Sequence, residues 1–250
     1  KAVAAQNMAK RAHRLLEETE EVREADKVAH IRFPAPLPCG HTPIMGENLS
    51  KSYGEKLILS SVNIAVDKGS RIVFLGENGS GKTTLLKILA GALNSDSGTL
   101  IYDKGTHIGY YAQEHENINN DESLLENVVH VAPDMNDTDV RKILGSFLFT
   151  GDAVHKKAKV LSGGEKTRLS LAMLVVSGAN VLLLDEPTNN LDPASREKIL
   201  DALSHYEGAV ILVTHDEGAV KALHPDRVFL LPDGDEDLWS DDYLEFLSAL

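Results

Sequence analysis

The chain has 250 residues, 42% of them apolar and 25% charged, with a formal net charge of −13 at pH 7. That length can bury a sizeable core as one large domain or two small ones, and the composition is that of an ordinary soluble globular protein. The acidic balance argues against nonspecific nucleic-acid binding through the overall field. The run 169–184 is too interrupted by Ser170, Ser177, Gly178 and Asn180 to be a membrane span, and the single cysteine, Cys39, excludes an internal disulfide.

From the N-terminus, Ala5, Met8, Ala12, Leu15, Thr19 and Val22 recur at alternating spacings of three and four, which predicts a helix over 1–29. The stripe is small and broken at Thr19, so one arm of an antiparallel helical hairpin fits better than a lone coiled coil. Its charge is segregated: Lys1, Lys10, Arg11 and Arg14 come first, then Glu17, Glu18, Glu20, Glu21, Glu24 and Asp26. The chain opens at Lys1 with no starting Met and no signal-peptide pattern, as a piece of a longer protein would. Pro34, Pro36, Pro38 and Pro43 forbid helix and predict an extended connector over 30–43, with the folded domain beginning near Ile44. Cys39-Gly40-His41 is half of a metal-binding pattern without its second half, and reads as a linker thiol in a reducing, cytoplasmic setting.

Beyond Ile44 the pattern alternates between strand and helix. Strand-like runs at 44–50, 62–66 and 71–75 precede a glycine-rich stretch and a helix over 81–91. Strands at 99–102 and 107–111 lead into an acidic, more helical region, 122–148, and a further helix follows Gly163-Gly164 to about 177. Val181-Leu182-Leu183-Leu184 is apolar throughout, as a central parallel strand buried on both faces is. A helix over 193–205, a strand over 209–213, a short helix over 217–223, a strand over 227–231 and a C-terminal helix over 241–250 complete an α/β chain without internal repeats.

Three segments carry chemistry. Gly76-Glu77-Asn78-Gly79-Ser80-Gly81-Lys82-Thr83 follows the apolar strand Arg71-Ile72-Val73-Phe74-Leu75 and opens a helix, the setting of a phosphate-binding loop. Its glycines let successive N–H groups face one anion, and the helix N-terminus adds partial positive charge. Asn78, Gly79, Ser80, Gly81 and Thr84 surround the phosphates of ATP or GTP, Lys82 reaches the β- and γ-phosphates, and Thr83 offers its hydroxyl to Mg²⁺. Asp185-Glu186 ends the apolar strand, where open parallel sheets bind ligands; Asp185 becomes the second partner of Mg²⁺ and Glu186 is free to orient or deprotonate a water. Leu161-Ser162-Gly163-Gly164-Glu165 combines a hydroxyl, two flexible glycines and a helix N-terminus, a second anion-binding arrangement.

With these segments in this order, residues 44–231 resemble the ATP-binding-cassette (ABC) ATPases. The resemblance implies a P-loop NTPase fold: a parallel-sheet core, an antiparallel β subdomain and a helical subdomain over about 114–165. It implies that Ser162, Gly163, Gly164 and Glu165 act in trans on the nucleotide of an opposing cassette. Tyr53 matches the family's adenine-stacking aromatic, Gln113 the glutamine that meets Mg²⁺ and water, Asn190-Leu191-Asp192 the loop at the dimer interface, and His215 the γ-phosphate sensor. The catalytic set is then Glu186, His215 and Gln113, with Thr83, Gln113 and Asp185 around Mg²⁺.

Asp185-Glu186-Pro187-Thr188-Asn189-Asn190-Leu191-Asp192, Gly163-Gly164-Glu165-Lys166-Thr167-Arg168 and Tyr111-Ala112-Gln113-Glu114 are similar to the ABC-F group. Members of that group are soluble, pair two cassettes in one chain through a charged helical hairpin, and act on the ribosome. The resemblance therefore implies a second cassette preceded by the returning arm of the hairpin. Its partners would be the other cassette, the ribosome and its RNA, including transfer RNA. One departure stands out: the group usually reads Ser-His-Asp-Arg where this chain has Thr214-His215-Asp216-Glu217, which puts in doubt any contact made by the usual arginine. The ATPase subunit of a transporter and the head of a chromosome-organising ATPase are the competing readings. The second fits less well, because Lys82 and Leu161 lie in one compact segment rather than on either side of a long coiled coil.

Overall fold

The computed structural model describes residues 31–112 and 115–249, so the helix expected over 1–29, Gln113 and Glu114 lie outside the described residues. The described chain begins with segment 31–43, which has neither helix nor strand. It continues through β1 (Ile44–Tyr53), β2 (Lys56–Val66), β3 (Arg71–Leu75), α1 (Lys82–Leu89), β4 (Ser97–Tyr102) and β5 (Ile108–Tyr111). The acidic region resolves into two helices, α2 (Leu124–Val131) and α3 (Asp137–Ser146), then two short 3₁₀ turns, Gly151–His155 and Ala158–Val160. There follow α4 (Gly163–Val176), β6 (Val181–Asp185), α5 (Pro193–Ser204), β7 (Ala209–Val213), α6 (Glu217–Leu223), β8 (Arg227–Leu230), β9 (Asp235–Leu238) and α7 (Asp242–Ala249).

The strands form two sheets. A three-stranded antiparallel sheet runs β2-β1-β4, and a six-stranded sheet runs β5-β6-β7-β3-β8-β9. In the larger sheet all neighbours are parallel except β9, which pairs antiparallel with β8. The continuous apolar runs are explained by burial on both faces. Val73, Leu182, Leu184, Val210 and Leu212 face a core shared with the helices. Their neighbours Ile72, Phe74, Val181, Leu183 and Ile211 face a second core, packed with α1 and the antiparallel sheet. Period-2 side-chain alternation thus feeds two apolar layers instead of one, and the polar half of the pattern disappears.

The connector forms neither helix nor strand, yet it is not free. Ile31 is buried in the helix-side core and the Phe33 ring lies 5.3 Å from that of Tyr206. Further along, Asn180 Nδ2 donates to the Leu37 carbonyl at 3.0 Å and Lys68 N to the His41 carbonyl at 2.8 Å. Apolar packing therefore starts before Ile44. Among the described residues no group of acids, His and Cys is arranged to hold a metal around Cys39 or elsewhere, and no helix is long and apolar enough to cross a membrane.

Candidate nucleotide site

The phosphate loop connects β3 to α1 across a crowded floor. Gly76 has φ 150°, and a Cβ there would stand 2.3 Å from the Leu231 carbonyl oxygen. Gly79 (φ 84°) has nothing within 4 Å of a Cβ position, so it faces the open side. Lys56, Ile58, Asn78, Gly79, Gly81, Lys82, Thr83 and Thr84 line a cleft of about 250 Å³. The Lys82 ammonium lies along the loop, donating to the Gly76 carbonyl at 2.5 Å and the Glu77 carbonyl at 3.0 Å. Burial lowers its pKa, opposed by the fields of Glu186 and Asp185, so the two carboxylates are within its electrostatic reach.

Asp185 and Glu186 arrive at the end of β6, both buried. Burial pushes the Asp185 carboxyl up, while the Thr83 hydroxyl and the Lys87 and Lys82 ammoniums pull it back down. Its Oδ2 and the Ser80 Oγ are buried and find no hydrogen-bond partner among the described residues. Orphaned oxygens at the loop and the strand end, with the Thr83 hydroxyl beside Asp185, form the hard-oxygen donor set that fits Mg²⁺.

Glu186 sits at φ 51°, a left-handed conformation uncommon for a residue with a side chain, held by its N–H donating to the Val213 carbonyl at 2.8 Å. Its carboxylate accepts from Thr214 Oγ1 at 3.1 Å and from the His215 N–H at 3.1 Å, and the His215 ring Nε2 lies 3.8 Å from Glu186 Oε1. Burial raises its pKa, with the Thr214 hydroxyl acting in the opposite direction. The expected pair of Glu186 and His215 is therefore brought together.

Other expected residues are placed apart. Tyr53 ends β1, 53% exposed, with the Lys51 ammonium 6.0 Å from its ring centroid; it does not line the cleft, although its cross-strand partner Lys56 does. Ser162, Gly163, Gly164 and Glu165 lie at the start of α4, outside that cleft. There the Ser162 hydroxyl accepts from the Glu165 N–H while the Glu165 carboxylate accepts from the Ser162 N–H, a capping box that lowers the Glu165 pKa. The segment Asn190-Leu191-Asp192, expected at an interface, backs this helix start. A Cβ on Gly164 would be 2.8 Å from the Asn190 carbonyl, Thr167 Oγ1 donates to the Asn189 carbonyl at 3.4 Å, and Arg168 faces Asp192 at 3.7 Å. Glu217 accepts from Ser248 Oγ at 2.7 Å and from Lys221 Nζ at 3.2 Å, tying α6 to α7. Trp239 and Tyr243 pack with the helix-side core, their rings 5.8 Å apart.

A family model described as "ABC transporter" matches residues 59–189. The chain is 39% identical over 243 residues to the "Probable ATP-binding protein YheS" of Escherichia coli (strain K12), covering 94% of this chain and 38% of that protein. It is 33% identical over 223 residues to "ABC transporter F family member 5" of Arabidopsis thaliana, covering 88% of this chain and 32% of that protein. Among solved structures, "Dimeric Structure of MJ0796, a Bacterial ABC Transporter Cassette" shares the fold, with a TM-score of 0.66 at 24% identity over 78% of this chain and 98% of that one. The chain belongs to the ATP-binding-cassette family. Its place there is the F group, and it spans 38% of the length of the bacterial relative.

Proposed function

We propose that this chain is the second cassette of a two-cassette, ribosome-associated ATPase of the translation-factor or ribosome-protection type, hydrolysing ATP to ADP and phosphate with Mg²⁺. The observation that carries the hydrolytic reading is the convergence of Lys82, Thr83, Asp185, Glu186 and His215 at one strand end, with Glu186 braced on two sides. The ribosomal part rests on kinship with the F group.

In this reading the loop residues 78–84 cradle the phosphates with backbone N–H groups, and Lys82 turns from the Gly76 and Glu77 carbonyls to the β- and γ-phosphates. Thr83, Asp185 and Gln113 would hold Mg²⁺, which would supply charge neutralisation at the phosphates. Glu186, its pKa raised by burial, takes a proton from the attacking water, and His215 holds the γ-phosphate. Tyr53 stacks on adenine at the rim. Ser162, Gly163, Gly164 and Glu165 complete the partner cassette's site instead of this one, so two cassettes close on two nucleotides and reopen after hydrolysis.

The test is Glu186→Gln in the full-length protein, which should retain ATP affinity, lose turnover and accumulate with ribosomes on sedimentation when ATP is present. A trapped protein that stays in the supernatant sinks the ribosomal reading. Recovery with membranes instead favours the transporter reading that the family model's description names.

A further inference from the structure

We infer that Thr214 and Arg196 are positioning residues for Glu186: a relay Arg196–Asp216–Thr214–Glu186 fixes the carboxylate and links it to the interface loop. The inference rests on the reading of Glu186 as the base.

The relay is continuous and each joint is directional. Thr214 is 2% exposed, and its Oγ1 accepts from the Asp216 N–H at 3.0 Å, which leaves its own proton for Glu186 Oε2 at 3.1 Å. Donation to Glu186 sets the hydroxyl rotor, and the bond accepted from Asp216 fills one of its two lone pairs. With Oε2 occupied, Glu186 presents Oε1 to the His215 N–H at 3.1 Å. Both carboxylate oxygens are thus assigned, at a residue whose backbone already stands in an unusual conformation.

Asp216 is immobilised in turn. Arg196 grips it with two hydrogen bonds, Nε to Oδ2 at 2.8 Å and Nη2 to Oδ1 at 2.6 Å, and Thr188 Oγ1 adds a third, to Oδ2, at 3.2 Å. Planar two-point pairing of this kind sets orientation as well as distance. Its fit requires Gly218, where a Cβ would stand 2.4 Å from Arg196 Nη2. Arg196 lies in the first turn of α5, directly after the interface loop, and its N–H donates to the carbonyl of Asp192, the residue that caps that helix. A shift of the interface loop therefore reaches the base through α5. Glu217, where the group usually has arginine, takes no part in the relay: it accepts from Ser248 and Lys221.

The test combines steady-state hydrolysis by the chain at high protein concentration with varied ATP, titration with a fluorescent ATP analogue, and amide hydrogen exchange of His215 without nucleotide. Thr214→Val should lower kcat about tenfold with KM and ATP affinity unchanged within about twofold, and Thr214→Ser should restore kcat. Arg196→Met, a partly exposed site that spares the fold if Thr214→Val does not, should lower kcat about fivefold and add little in the Thr214→Val background. His215 amide protection should fall in Thr214→Val and hold in Thr214→Ser. Unchanged kcat in both single variants, or full His215 protection in Thr214→Val, overturns the relay. Absence of hydrolysis by the unsubstituted chain and its partner-containing full-length form would instead count against Glu186 as a base, while the exchange measurement would still report the relay.

Discussion

At the scale of single residues, the phosphate loop divides its glycines between two jobs. Gly76 is required by what lies beneath it and Gly79 by its backbone angle alone. Gly76→Ala should cost about 2 kcal/mol or more, since the Leu231 carbonyl is main chain and cannot swing away. Gly79→Ala should cost about 1 kcal/mol, the strain of a left-handed residue, and weaken nucleotide binding more than folding. Urea midpoints of the two variants give the order directly; equal midpoints would contradict this division. Much of the site was legible because its chemistry is written in contiguous residues: Lys82 and Thr83 after the glycines, Asp185 and Glu186 after the apolar strand. Thr214 and Arg196 escaped because their importance arises from a hydrogen-bond chain that joins α5 to the ends of two strands. The positive φ of Glu186 left no trace in composition either, since nothing in a glutamate announces a left-handed backbone. The signal that could have led to Thr214 was its place directly before His215.

At the scale of elements, α2 and α4 begin alike. Each has a serine cap reciprocated by a glutamate three residues on, Ser123 with Glu126 and Ser162 with Glu165. Ser123→Ala and Ser162→Ala should therefore each cost about 1 kcal/mol in chemical denaturation. Only Ser162→Ala should also depress ATP turnover in the proposed two-cassette protein, because only that cap lies in the segment proposed to complete the partner's site. Matched losses of turnover in both variants would show that the serine acts through helix stability alone. The sequence signal was strong where caps, prolines and periodicity agreed, as over α4, α5 and α6. Periodicity gave no signal at β9, whose Asp-Glu-Asp-Leu is exposed throughout; only the likeness of residues 237–244 to the ABC-F group's closing strand and helix pointed to a strand there. An edge strand solvated on both faces carries no alternating apolar pattern, and its charges discourage further pairing. The connector was misjudged in the other direction: its prolines announced an extended backbone, but the burial of Ile31 and the contact of Phe33 with Tyr206 depend on partners far along the chain.

At the scale of the molecule, the parallel sheet separates two cores and delivers Asp185, Glu186 and His215 to the C-terminal ends of β6 and β7, while Lys56 and Ile58 of the antiparallel sheet line the neighbouring cleft. The fold class was readable because alternating elements and apolar strands leave few arrangements. The docking of distant segments onto them was not, since it is settled by side chains meeting across sequence. A site finished by another cassette predicts that hydrolysis per chain rises with protein concentration; brisk turnover that stays flat across a dilution series would contradict it. The contact between Gly164 and the Asn190 carbonyl has a consequence of a thermodynamic kind. If Glu186 is the base and this helix start serves a neighbour's nucleotide, as proposed, the two meet at this wall, and a move favouring one ligand is charged to the other as well. Linkage makes such coupling reciprocal: whatever factor one bound nucleotide adds to the affinity for the second, the second must return to the first.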